Sequence, residues 1–227
     1  VMEFVEGQTL AQWMKDRPVP SLEAVRAIVE QIERALRAFH RLEMVHQDLR
    51  PENLMIDTTG TVRIIDFGAT SVAGIDEAGL PGDAGDIPGS LQYTAPERFL
   101  GAPPSPQSDL FALGVLTYQM LCGRLPYGAD AVMARTPARQ RKLRYRSVRD
   151  GRPTIPDWVD GAIRKAVHPS PTKRYEAGSE FIHDLRHPNS AFAKASREPL
   201  IERYPLLFWR LLCLAQAVAI LCLLAWR

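Results

Sequence analysis

The stretch from His46 to Gly68 leaves this chain few architectures. His46-Gln47-Asp48-Leu49-Arg50-Pro51-Glu52-Asn53 is followed by apolar Leu54-Met55-Ile56, by Asp57-Thr58-Thr59-Gly60, and by a β-branched run from Thr61 to Ile65 that ends at Asp66-Phe67-Gly68. Short apolar runs separated by an Asp/Thr/Gly cluster predict a loop, a strand, a turn and a second strand. Such a hairpin brings Asp48, Asn53 and Asp66 to one end. Two acids and an amide meeting there suit Mg²⁺, which takes oxygen ligands and binds through a few carboxylates plus substrate phosphates. They also suit a hydroxyl that must lose a proton.

The same residues resemble the protein-kinase catalytic loop, His-x-Asp-Leu-x-x-x-Asn, followed by the Asp-Phe-Gly metal-binding motif. The resemblance implies ATP and Mg²⁺ as cofactors, Asp48 as the base that orients the substrate hydroxyl, and Asn53 and Asp66 as metal ligands. Arg50 stands where serine/threonine kinases usually carry a lysine that touches the transferring phosphoryl group. It keeps the charge but presents a guanidinium fork in place of an ammonium point charge. The expected fold is mainly α: the helical large lobe of a protein-kinase-like fold that the resemblance implies, with a small β-hairpin at the catalytic loop, plus a C-terminal transmembrane helix read from hydropathy.

Composition narrows little beyond this. The chain has 227 residues and a formal charge of +2, so global electrostatics name no partner. Cys122, Cys213 and Cys222 have neither metal-ligand spacing nor the numbers for a disulfide framework. No cleavable signal opens the chain, and Val1 lies inside an apolar strand-like run. The expectation is a cut end, with the small lobe upstream.

Val1 to Gly7 predicts a strand running into a turn, and Leu10, Trp13 and Met14 begin a helical pattern. This resembles the kinase hinge, in which Met2 is the gatekeeper, the Glu3 carbonyl and Val5 amide bind adenine, and Met55 lies beneath the ring. A buried edge strand is the other reading. Ser21 is the expected N-cap of a long helix whose stripe is Val25, Ile28, Val29, Ile32, Leu36 and Phe39.

Residues 66–97 predict a long functional loop. Its end motifs, Asp66-Phe67-Gly68 and Ala95-Pro96-Glu97, resemble those of a kinase activation segment. Ser90 falls in its substrate-facing part and, with Pro51-Glu52, favours serine/threonine substrates. The arginine usual before the catalytic aspartate is Gln47 here. A neutral amide makes no charge-assisted pair with a phosphate, so activity is expected not to depend on a phosphorylated segment through this contact. Asp109 resembles the aspartate that anchors the catalytic loop from a buried helix; a capping role in the first helical turn is compatible with that. Arg174, in Pro169 to Tyr175, is the expected partner of Glu97.

Seven basic residues fall between Arg135 and Arg149 with one aromatic, Tyr145. That is too little stacking surface for nucleic acid, and a solvated or membrane-facing surface is the expectation. Leu206 to Trp226 is 21 residues interrupted only by Arg210 and Gln216. As a helix it measures about 31 Å, against a hydrocarbon core of roughly 30 Å. Lys194, Arg197, Arg203 and Arg210 precede or open it, which puts the N-terminal body in the cytoplasm of a single-pass inner-membrane protein. A buried or amphipathic docking helix is the competing reading.

The expected domains are a kinase large lobe including the hinge over 1–188, a basic juxtamembrane linker over 189–205 and a transmembrane helix over 206–227. The basic segment, Lys173 to Asn189 and the final apolar helix look like bacterial bifunctional phosphatase/kinase proteins, which makes an upstream phosphatase domain a possible partner. The function expected is phosphorylation of serine or threonine on proteins, with no nucleic-acid partner. A membrane-anchored pseudokinase or scaffold is the alternative, supported by Gln47 and Arg50. A small-molecule phosphotransferase fits less well with Ala95-Pro96-Glu97, Asp109 and Arg174, which resemble a peptide-docking set.

Overall fold

The computed structural model describes residues 5–68, 70–72 and 90–195, with residues 209, 210, 212 and 216. Met2 and Glu3 lie outside the described residues, as does most of the span 206–226. Among the described residues no helix is long and apolar enough to cross a membrane.

The architecture is mostly helical with two small sheets. β1 (Gly7–Thr9) runs straight into α1 (Leu10–Asp16), and α2 (Leu22–Arg41) follows. β2 (Met44–Val45), β3 (Leu54–Asp57), β4 (Val62–Ile64) and β5 (Ser71–Val72) surround the loop at 46–53. From residue 106 to residue 195 the described α-helices are α3 (Pro106–Cys122), α4 (Asp130–Met133), α5 (Pro137–Gln140), α6 (Asp157–Ala166), α7 (Gly178–Arg186) and α8 (Ser190–Ala195).

α3 is the spine of the body. Residues 108–121 are buried except Gln119, as befits a helix apolar on every side. Its start is fixed by a reciprocal cap: the Ser105 hydroxyl accepts from the Ser108 amide at 3.3 Å, and the Ser108 hydroxyl accepts from the Ser105 amide at 3.1 Å. Gly123, in the left-handed region at φ 67°, ends it. α2 packs against α3 and α7 and buries its stripe of Val25, Ile28, Val29, Ile32 and Leu36. Its N-cap is Ser21, which accepts from the Ala24 amide at 3.1 Å.

The predicted hairpin is present, with Leu54 opposite Ile64. Its turn is held by Asp57 Oδ1, which accepts from the Thr59 and Thr61 amides at 2.9 Å each. A third strand joins it: β1 pairs antiparallel with β3, Gly7 opposite Asp57. The sequence predicted a turn at Gly7. The structure has a strand there because a Cβ on Gly7 would collide with the Ile56 carbonyl oxygen, so only glycine allows this approach. The loop predicted from Asp66 onward also carries a strand, since β5 pairs with β2.

Two further expectations meet structure. The segment expected as a linker from 189 opens with α8, whose Phe192 lies against Gly161 of α6. In the basic segment, Tyr145 packs edge-on to Tyr118 and Tyr127 and donates to Asp160 at 2.9 Å. Its ring is committed to the body. Arg149 pairs with Asp157, and Arg135 lies over Phe99 at 5.5 Å.

Candidate active site

The loop at 46–53 is held from below by one buried carboxylate. Asp109, 1% exposed on α3, accepts from the His46 amide through Oδ2 and from the Gln47 amide through Oδ1, each at 2.9 Å. His40, near the end of α2, meets Oδ2 at 2.9 Å. Both oxygens therefore go to the loop, while capping of α3 falls to the serines. The anchor also offsets strain: Gln47 has φ 69°, a left-handed conformation that costs a residue with a Cβ on the order of 1–3 kcal/mol. Two amide bonds to this buried carboxylate contribute about 1.5–3 kcal/mol each. Asp109→Ala is accordingly expected to free the His46 and Gln47 amides, raising their hydrogen-exchange rates at least tenfold while α7 stays protected. Unchanged protection at both amides would remove Asp109 from this role.

The loop then folds on itself. Asn53 Nδ2 donates to Asp48 Oδ2 at 2.8 Å and to the Asp48 carbonyl at 2.9 Å. Both side-chain donors of Asn53 are thus used, and its amide oxygen has no hydrogen bond among the described residues. The Asn53 carbonyl accepts from the Ile65 amide at 3.0 Å, which sets Asp66 next to this end of the hairpin. Asp66 is exposed, and its Oδ1 accepts from the Gly68 amide at 2.8 Å. Phe67 stacks on Phe39 of α2 at 5.4 Å, and both rings meet buried His46 at 6.1 Å. Neither ring nitrogen of His46 has a partner among the described residues; the imidazole serves here as a flat packing surface.

Among the described residues no three His, Cys, Asp or Glu side chains form a metal cluster. The oxygen set is instead an uncommitted amide oxygen on Asn53 and the second carboxylate oxygen of Asp66. That set fits Mg²⁺ sharing its shell with phosphate oxygens and water. Arg50 Nε donates to Glu52 at 2.9 Å. Met55 is half-buried on β3, between Thr9 and Arg63 in register. Val5 precedes β1, ahead of the described strand.

Ser90 opens a short 3-10 turn, Ser90–Gln92. Tyr93 follows, donating to Gln119 at 2.6 Å; burial pushes its phenol up to about 12, with the Gln119 bond opposing the shift. The segment closes on an ion pair. Arg174 donates to Glu97 through two nitrogens at 2.7 and 2.6 Å, to the Gln107 and Pro169 carbonyls at 2.8 and 3.1 Å, and through Nε to the His168 carbonyl at 2.7 Å. A guanidinium has five N–H donors, and all five are used.

Three contributors escaped the sequence reading: His40, Phe39 as a stacking partner, and Arg98. Arg98, 7% exposed, donates to Gln47 Oε1 at 3.0 Å and to the Ala102 carbonyl. Burial pulls its pKa below the ordinary arginine value, while the neighbouring Glu97 charge opposes that. Nothing local marks the pairings that matter here: His40 and Asp109 lie 69 positions apart and Arg98 and Gln47 51, and Phe39 stacks on a ring beyond the hairpin.

A profile of the protein kinase domain matches residues 1–185. The chain belongs to the protein kinase family. It is 30% identical over 188 residues to serine/threonine-protein kinase PrkC of Bacillus subtilis, covering 82% of this chain and 28% of that protein. It is 30% identical over 206 residues to serine/threonine-protein kinase PknA of Mycobacterium tuberculosis, covering 88% of this chain and 43% of that one. A probable serine/threonine-protein kinase PknB of Lactococcus lactis is also 30% identical, over 82% of this chain and 29% of its own length. The chain thus spans less than half the length of these relatives.

Proposed function

We propose that the protein transfers the γ-phosphoryl group of ATP to serine or threonine hydroxyls on protein substrates. The observation that carries this is the Asp48–Asn53 pair at the mouth of the hairpin, with Asp66 beside it and the whole loop hung from Asp109. In this reading Asp48 accepts the hydroxyl proton, Asn53 and Asp66 hold Mg²⁺, and Arg50 meets charge on the transferring group. Bound Mg²⁺ would neutralise phosphate charge. Such positioning and electrostatic terms carry most of phosphoryl-transfer catalysis. Met2, Glu3, Val5 and Met55 are the proposed adenine contacts, and Ser90 the proposed substrate contact.

The membrane part of the reading rests on composition. Residues 206–226 supply an apolar run long enough to span, and the basic residues ahead of it favour a cytoplasmic body. The bifunctional architecture remains part of the proposal on resemblance alone.

The direct test incubates the full-length protein with Mg²⁺, γ-labelled ATP and a general protein acceptor, followed by phosphoamino-acid analysis. Label on serine or threonine that disappears on chelating the metal is the expected result. Label confined to tyrosine, or to small molecules, would overturn the reading.

A further inference from the structure

Gln47 is gripped from two sides. Its backbone amide donates to Asp109 on α3, and its side-chain oxygen accepts from Arg98 at 3.0 Å. Arg98 sits in the 3-10 turn Pro96–Leu100, which closes the segment opened by Asp66-Phe67-Gly68. The neighbouring Glu97 carboxylate is already spent, since both its oxygens accept from Arg174. The hydrogen-bond acceptors of the Arg98 guanidinium among the described residues are therefore neutral: the Gln47 amide oxygen and the Ala102 carbonyl. A buried cation whose hydrogen-bond acceptors are dipoles, and whose nearest carboxylate is shared with Arg174, tolerates an acceptor at position 47 and disfavours a second cation there.

We propose that Gln47 is a positioning residue whose neutral amide ties the loop carrying Asp48 to the end of the activation segment through Arg98, so that an arginine at position 47 would break the site. This rests on the kinase reading of that loop. The link needs no phosphate, because its donor is a side chain already built into the turn. It joins residues 51 positions apart, fixing the loop and the far end of the segment as one unit.

The test is a series in the full-length protein: Gln47→Leu, Gln47→Arg, and Gln47→Arg combined with Arg98→Gln. Each is measured for kcat, for KM toward ATP, and for melting temperature. The Leu variant, which keeps the bulk and loses the acceptor, should lower kcat about tenfold, and Gln47→Arg about 100-fold or more, because two guanidinium groups then share a half-buried space. Exchanging donor and acceptor in the double variant should recover at least about tenfold of that loss, the sign of a direct pair.

Wild-type kcat in Gln47→Arg would overturn the proposal. So would a double variant no better than the single, or losses in melting temperature with kcat per folded molecule unchanged. If the wild-type protein transfers no phosphate at all, the kinase reading fails separately. The melting temperatures then still decide the pairing: a drop in Gln47→Arg reversed by Arg98→Gln supports it, and no reversal rejects it.

Discussion

Asp48→Asn in the full-length protein should lower the rate of phosphoryl transfer by about 10²–10⁴-fold, the usual contribution of a positioned proton acceptor. The fold should survive. Asp48 Oδ2 accepts from Asn53 at 2.8 Å, and an asparagine oxygen turned the same way keeps that bond. What changes is the other position, where an NH₂ replaces the oxygen that would take the substrate proton. An amide is no base near neutral pH, so the loss should appear in kcat, with KM for ATP nearly unaltered. Initial rates with labelled ATP and a melting curve on the same preparation check both halves. Turnover within a few-fold of wild type would take the proton-accepting role away from Asp48.

Arg174→Met should cost about 3–5 kcal/mol of stability, the scale for removing one member of a buried ion pair. The Arg174 side chain is fully buried and that of Glu97 is 11% exposed. Methionine fills much of the space but leaves Glu97 charged, enclosed and unpaired. It also strands the carbonyls of Gln107, Pro169 and His168. Arg174→Lys should fare little better, because an ammonium has three donors and no flat fork to match five acceptor contacts. Denaturant midpoints give the magnitude. Met and Lys variants within 1 kcal/mol of wild type would show the pair to be dispensable. Replacing Glu97 with Gln as well as Arg174 with Met should return part of the loss by removing the stranded charge.

How far the sequence could be read followed the span of the forces involved. The β3–β4 hairpin was legible because its turn is made within five residues, by Asp57 accepting from Thr59 and Thr61. The Asp48–Asn53 contact spans five positions and was legible for the same reason. Helix α2 announced itself through its apolar stripe and its Ser21 cap, the cap and stripe being local to the helix. The partners of Asp109 and Arg174 were reached by resemblance, not by pattern: they lie 62 and 77 positions away. Contacts with neither a local pattern nor a motif stayed hidden. β1 looked like a turn because Gly7 breaks strands in general, and only the proximity of Ile56 makes glycine the residue a strand needs there. Arg98 drew no reading from the sequence, because its place depends on burial and on a contact with Gln47, 51 positions away.

The reach of Asp109 has a consequence for how the chain is made. His46 precedes its anchor by 63 residues. On a ribosome adding about 5–20 residues per second, that interval lasts about 3–13 s. Throughout it, the nascent segment bearing Asp48 has no carboxylate to draw Gln47 into its left-handed turn. The loop can take its working shape only after α3 has been synthesised and has cleared the exit tunnel, so a stalled or truncated product ending before residue 109 would carry the motif without the shape.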